Sequence, residues 1–350
     1  MLSITDRIDV AIRYEVLRSG AVVTYIYASG TPSITMNSES ELKTSLSGIF
    51  HDYTTDTNGI NFLSDKLRVI ADINGTNYPC GIYCVTTEDK SKSNGSKFVS
   101  IEAYSLLYLA QQSKIESRLY YASGTLYTNV IATLLIASGI TDYNITTSTL
   151  TLATDREDWE IGTSRLEIIN QLLKEISYNS AYMNNLGKII CEPYSEPLIC
   201  NVDFTYNADE HSIIGPDYTI SNDYHGKANV FKVICNNPEL TAPLTATSEN
   251  TIASSPFCID NIGRRLHIER IDNVANQAAL QMVADTIRMK SLISSEVVTF
   301  DTVINPEHST FNIVALNNDT LQGIFAEVSW TMQLSASTLM THKARRALYD

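Results

Sequence analysis

Asp209, Glu210 and His211 are the one place where three neighbouring side chains could hold a metal ion or move a proton. They lie between Asn207 and Ser212 in a polar run, which reads as a solvated turn. The other histidines, at 51, 225, 267, 308 and 342, include no i, i+4 pair, so no helix face can offer two imidazoles to one ion. Cys80 and Cys84 bracket Ile82 in an alternating run, which puts all three on one strand face as a buried thiol pair. Asp155, Glu157, Asp158 and Glu160 precede a predicted helix, where carboxylates favour the positive helix end. A glycosidase needs two defined carboxylates across a cleft, and nothing singles out two of these. The chain lacks G-x-S-x-G, a Walker loop, H-E-x-x-H and a dinucleotide fingerprint. The expectation is no catalytic residue, no cofactor, no metal, and a protein that is not an enzyme.

Whatever these residues do, strands must position them. The chain has 350 residues, 44% of them hydrophobic and 18% charged, a globular composition with room for several domains. Nineteen tyrosines, with many Thr, Ser and Ile, favour sheets. A net charge of −14 argues against a freestanding, sequence-specific nucleic-acid binder, whose phosphate contacts need cations. Six cysteines are too few for a disulfide framework and fit a reducing origin. The N-terminus has no signal-peptide pattern, and the most apolar run, 130–137, is far below the ~20 residues a spanning helix needs. Membrane insertion by this chain is not expected.

The stretch 156–194 organises the rest. Ser164 and Glu167 form a capping-box pattern, and Leu166, Ile169, Leu172, Leu173 and Ile176 recur at helical spacing. Asn184-Asn185-Leu186-Gly187 then supplies a turn before a returning strand. Ahead of this unit, residues 7–17, 21–28, 66–73, 77–87 and 97–103 read as strands, with Asn74-Gly75 marking a hairpin. Residues 30–60 read as a polar excursion with little regular structure, and 88–96 as a polar loop. After it come strands at 198–206, 228–236, 296–304, 309–316 and 323–334, with a helix over 274–292. In the last strand Ile324, Ala326, Val328, Trp330 and Met332 alternate onto one face. The expected fold is α+β: a first β-barrel at 1–103, a mixed α/β domain at 104–196, and a discontinuous second barrel at 197–236 plus 296–338. An inserted helical subdomain occupies 237–295, and a C-terminal tail 339–350.

Several runs carry a family resemblance. They are INGTNYPCGIYCVT at 73–86, FVSIEAYSLLYL at 98–109, SGTLYTNVIATLL at 123–135, and WEIGTSRLEIINQLLKEI at 159–176 with its hairpin through Glu192-Pro193-Tyr194. In this order they resemble baseplate hub proteins of contractile phage tails and phage-tail-like bacteriocins (tailocins). The resemblance covers nearly the whole chain and rests on the number and order of degenerate motifs. It implies a structural homotrimer with two related barrels per chain. Six barrels would then match a sixfold tail tube at one end, and the threefold central spike would dock at the other. Implied partners are the tube or a tube-initiator protein and the spike, with a tape-measure protein and the baseplate wedge as further candidates. The implied location is the particle, assembled in the bacterial host cytoplasm. Three copies would carry three times −14, or −42. The alternatives are another tail-tip component, such as a distal-tail or receptor-binding protein, and a tail-associated cell-wall hydrolase. Lys343, Arg345 and Arg346, basic in an acidic chain, are the candidate partner contact.

Overall fold

The computed structural model describes residues 9–52, 59–207, 214–222, 224, 227–237, 242–293, 296–318, 321–336 and 338–347. The Asp209-Glu210-His211 cluster lies outside the described residues. The N-terminal strands are β1 (Val10–Arg18), β2 (Ala21–Ile26), β3 (Ser33–Asn37), β4 (Thr44–His51), β5 (Lys66–Ile73), β6 (Thr76–Ser93) and β7 (Ser96–Ser105). Two of them correct the sequence reading of residues 30–60. The inward positions Ile34, Met36, Leu46 and Phe50 are buried, while Ser33, Thr35, Ser45 and Ser47 between them made the run look like a loop. The expected loop at 88–96 is instead the far end of the β6–β7 hairpin, turned by Asn94 and Gly95 with φ of 50° and 84°. Positive φ at both turn residues is what a two-residue hairpin requires. Residues 87–97 are all exposed, so backbone pairing holds this ribbon without any burial to betray it in the sequence. Alternation also fails around Gly81 (φ 106°): Cys80, Tyr83 and Cys84 are buried and Ile82 is half-buried.

The central unit follows its sequence signals closely. It comprises α1 (Leu107–Gln112), α2 (Tyr127–Ala137), β8 (Tyr143–Ile145), α3 (Arg165–Glu175), β9 (Tyr182–Met183) and β10 (Ile189–Cys191). Ser164 Oγ accepts the Glu167 N–H at 3.1 Å, and Leu166, Ile169, Leu172, Leu173 and Ile176 are buried as their spacing predicts. The three short strands form their own sheet, β8-β10-β9.

The remaining elements are β11 (Phe204–Asn207), β12 (Ile214–Asn222), β13 (Val230–Cys235), β14 (Leu244–Glu249), α4 (Ile259–Ile262), β15 (Leu266–Ile271), α5 (Gln277–Leu292), β16 (Glu296–Val303), β17 (Ile313–Asn317), β18 (Gln322–Gln333) and β19 (Leu339–Arg346). The run 228–236, expected in the second barrel, belongs to the insertion. There β13 pairs antiparallel with β14 and parallel with β15, and Val233 and Cys235 pack with Leu280, Val283 and Ala284 of α5. Residues 339–346, expected as a tail, form β19 between β16 and β18, because Met340, His342 and Ala344 alternate inward. Of that expected tail, 348–350 lie outside the described residues.

One thirteen-stranded sheet runs through both strand-rich regions in the order β12-β16-β19-β18-β3-β4-β7-β6-β5-β1-β2, with β17 on β18 and β11 on β17. The seam between the regions is β18 against β3, where Trp330 faces Met36 and Met332 faces Ile34. Beyond β2, Ala28 bridges to Phe50 of β4, with Ser29 N–H on Ile49 O at 2.8 Å and His51 N–H on Tyr27 O at 2.9 Å. The apolar interior falls into a main core, a smaller core around Phe300, Val314, Leu316 and Phe325, and the core of the insertion.

Candidate functional site

β18 does not keep one face throughout. Its pairing with β19 shifts register between Glu327 and Ser329, a β-bulge. Before the bulge Phe325 points into the smaller core, while beyond it Trp330 and Met332 point into the main core. Ile324 and Ala326 therefore do not share a face with Trp330 and Met332, contrary to the unbroken alternation that the sequence suggested. A bulge re-aims the side chain beside it, and here that side chain is Glu327, which is 3% exposed.

Glu327 meets two imidazoles. His308 Nδ1 lies 2.9 Å from Oε2, and His342 Nδ1 lies 2.6 Å from Oε1. The outer ring nitrogens are held as well, His308 Nε2 by the Tyr206 hydroxyl at 2.6 Å and His342 Nε2 by the Thr302 hydroxyl at 2.8 Å. The rings are stacked on aromatic neighbours, His308 on Phe204 at 4.2 Å and His342 on Phe300 at 4.9 Å. Each strand passes from one core to the other at this level. β19 gives Met340 to the main core and Ala344 to the smaller one, with His342 between them, and Thr302 lies between Phe300 and Ile304. The cluster is thus a polar septum between two apolar cores.

Two imidazoles and a carboxylate are a plausible ligand set for zinc. Here, however, each Nδ1 and its carboxylate oxygen are at hydrogen-bonding distance, so the groups already satisfy one another. Burial alone would raise the Glu327 pKa, but the attraction of His308 and the two ring hydrogen bonds outweigh it and bring it down to about 2. Burial pushes His342 below the ordinary imidazole value. The chemistry on offer is proton storage in a dry site. No sequence signal joined these three residues, because a bulge cannot be read from alternation.

His308 sits in the segment 304–312 between β16 and β17, which is clamped from several sides. Asn185, at the tip of the β9–β10 hairpin, donates its amide to Pro306 O at 2.9 Å and His308 O at 3.0 Å. The Asn185 carbonyl accepts Gly81 N–H of β6 at 2.8 Å. Trp330 Nε1 donates to Ser309 O at 2.9 Å, and Tyr182 meets Phe311 edge-on at 5.5 Å. Lys43 stands over the Phe311 ring at 5.3 Å, and burial lowers its pKa to about 8.

The three basic residues singled out by sequence all lie on β19 but do different things. Arg346 is tied down: it pairs with Glu296 at 2.7 Å, donates to Gln322 O at 2.5 Å and covers the Phe325 ring at 4.8 Å. Arg345 reaches Glu39 at 2.8 Å, across the seam between the two strand-rich regions. Lys343 is exposed. The acidic run before α3 is also structural. Asp155 accepts from Ser123 N–H at 2.8 Å and the Tyr120 hydroxyl at 2.9 Å. Arg156, which sequence reasoning missed, is 1% exposed and bridges Asp158 and Glu175, each at 2.8 Å. The described residues include no helix long and apolar enough to cross a membrane.

No known family model and no curated protein matches the sequence. Solved structures do match the architecture. A tail protein from Neisseria meningitidis MC58 superimposes with a TM-score of 0.67 at 12% identity, over 96% of each chain. The 43 kDa tail protein of prophage MuSo2 from Shewanella oneidensis gives 0.65 at 11% identity, over 96% of this chain and 98% of that one. The chain has the phage tail-protein fold. The same fold extends to the Escherichia coli c3393 protein, a component of the type VI secretion system with structural similarity to T4 tail proteins gp27 and gp5, at a TM-score of 0.56 and 7% identity.

Proposed function

We propose that this chain is the structural hub of a contractile-tail or tailocin baseplate, a homotrimer that adapts a sixfold tail tube to a threefold central spike. The observation that carries the reading is the end-to-end match with phage tail proteins, at 96% of both chains for the Neisseria protein. The internal architecture supports it. The Ala28–Phe50 bridge returns β2 to β4, so we read the six strands β4-β7-β6-β5-β1-β2 as a closed barrel, with β3 leading to the seam. The strands β12, β16, β19, β18, β17 and β11 around the smaller core form the second. Two barrels in each of three chains give six similar docking surfaces.

In this reading Lys343 and Arg345 face a partner, with Arg346 shaping the strand that carries them. The exposed ribbon at 87–97 offers a further contact to the tube or spike. The particle is the site of action, after assembly in the host cytoplasm. Light scattering tests the central claim, with an expected mass of about 116 kDa, three times the 38.8 kDa chain. Electron-microscopic end views with pseudo-sixfold symmetry support it further. A monomer at micromolar concentration that cleaves peptidoglycan overturns it.

A further inference from the structure

We propose that His308, Glu327 and His342 form an acid-operated release for the joint between the central hairpin and the C-terminal half of the chain. The inference stands on side-chain geometry and does not depend on the hub reading. His308 belongs to both devices: its ring is inside the cluster, and its carbonyl holds Asn185 at 3.0 Å.

The proton count sets the direction. Each Nδ1 faces one oxygen of the Glu327 carboxylate, which can only accept, and so carries a proton, while each Nε2 faces a hydroxyl that can donate or accept. One added proton gives one imidazolium against one carboxylate, a balanced pair. A second leaves two imidazolium rings with centroids 4.9 Å apart sharing a single carboxylate in a dry core. The other titratable groups facing the cluster do little to balance this. β11 contributes Tyr206, which is neutral, and β16 contributes Asp301, part-exposed and engaged by Thr341 Oγ1 at 2.7 Å. The segment 304–312 adds the uncharged amide of Asn305, 3.5 Å from the Tyr206 hydroxyl, and the cluster's other members are Glu327 on β18 and His342 on β19.

The geometry also decides what yields. Glu327 and His342 are on strands paired to neighbours, whereas His308 is on a segment outside the strand ladders. Withdrawing His308 separates the rings without breaking a strand ladder, and it takes the Pro306 and His308 carbonyls off Asn185. Neutral pH locks the joint and acid opens it.

Native-state hydrogen exchange on the full chain at pH 7, 6 and 5, corrected for intrinsic rates, tests this. The Ser309 and Glu327 amides, bonded within the segment at 2.6 and 2.9 Å, should lose protection roughly tenfold per pH unit per proton taken up. Leu172 and Leu173 amides in α3 should keep theirs. The double variant His308→Gln, His342→Gln should flatten the dependence, and Asn185→Ala should show the loosened hairpin tip already at pH 7. If the double variant does not fold, the wild-type profile decides alone. Segment protection unchanged between pH 7 and 5 overturns the proposal. So does a parallel loss in α3, which would mean global unfolding.

Discussion

The amide of Asn185 donates to the carbonyl of His308 at 3.0 Å, while the carbonyl of Asn185 accepts the Gly81 N–H at 2.8 Å. One hairpin-tip residue thereby ties a strand of the N-terminal region to the segment that carries a buried cluster in the C-terminal region. The central unit works as a fastener between the two strand-rich regions.

Leu172→Asp should abolish soluble, folded protein. Leu172 is fully buried in the main core. An unpartnered carboxylate there costs roughly 5 kcal/mol or more, comparable to the whole stability of many domains. Circular dichroism and soluble yield check this, and a folded, assembling variant would misplace the helix.

Glu327→Gln should lower stability by about 3–5 kcal/mol, as expected when one member of a buried ionic network is removed. Urea denaturation measures it. In the wild type, Glu327 has a folded pKa of about 2 against an ordinary 4.5. Its contribution, about 3 kcal/mol, is therefore present above pH 4.5 and lost as pH falls through about 2. His342 has a depressed folded pKa, so the unfolded chain takes its proton first. That loss begins higher, as pH falls through the ordinary imidazole range. A stability curve flat from pH 7 to pH 3 would contradict both.

Gly187→Ala should cost about 2–3 kcal/mol. Gly187 has φ of +87°, and an added Cβ would stand 2.6 Å from Ile82 Cδ1. The melting temperature reads the loss, and the steric part of it should be relieved by Ile82→Ala, which removes both the Cδ1 and the Cγ1 that stands at 2.7 Å.

Lys343→Glu should leave the isolated chain as stable as wild type, since the side chain is exposed, and should impair particle assembly. Arg346→Ala should instead cost about 1–2 kcal/mol through the lost Glu296 pair and Phe325 contact. Comparing melting temperature with assembly yield separates the two roles. Unchanged assembly after replacing Lys343, Arg345 and Arg346 together with Glu would remove β19 from the contact surface.

The sequence made the helix–hairpin unit legible because its signals are local: a cap, a 3.6-residue period and an Asn/Gly turn. Strands were legible where burial made them alternate, as in β1 and β5. Three kinds of feature escaped. Short strands with polar outward faces, β3 and β4, looked like loop. The exposed ribbon at 87–97 has no apolar face to reveal it. The septum depends on a bulge at Glu327 and on bringing together residues 308, 327 and 342, which only the tertiary fold does. Arg156 was hidden for a related reason. An arginine in an acidic run looks solvated until the fold supplies Glu175.

The seam between β3 and β18 bears on how the chain is made. Thr35 and Thr331, in contact across it, are 296 residues apart. At synthesis rates of roughly 5–20 residues per second, β3 emerges on the order of 15–60 s before its partner exists. For that interval the nascent sheet carries an open strand edge of the kind that recruits foreign strands. Closing so long a loop is also slow. Ser33, Thr35 and Asn37, polar along that waiting strand, keep it wet until β18 arrives.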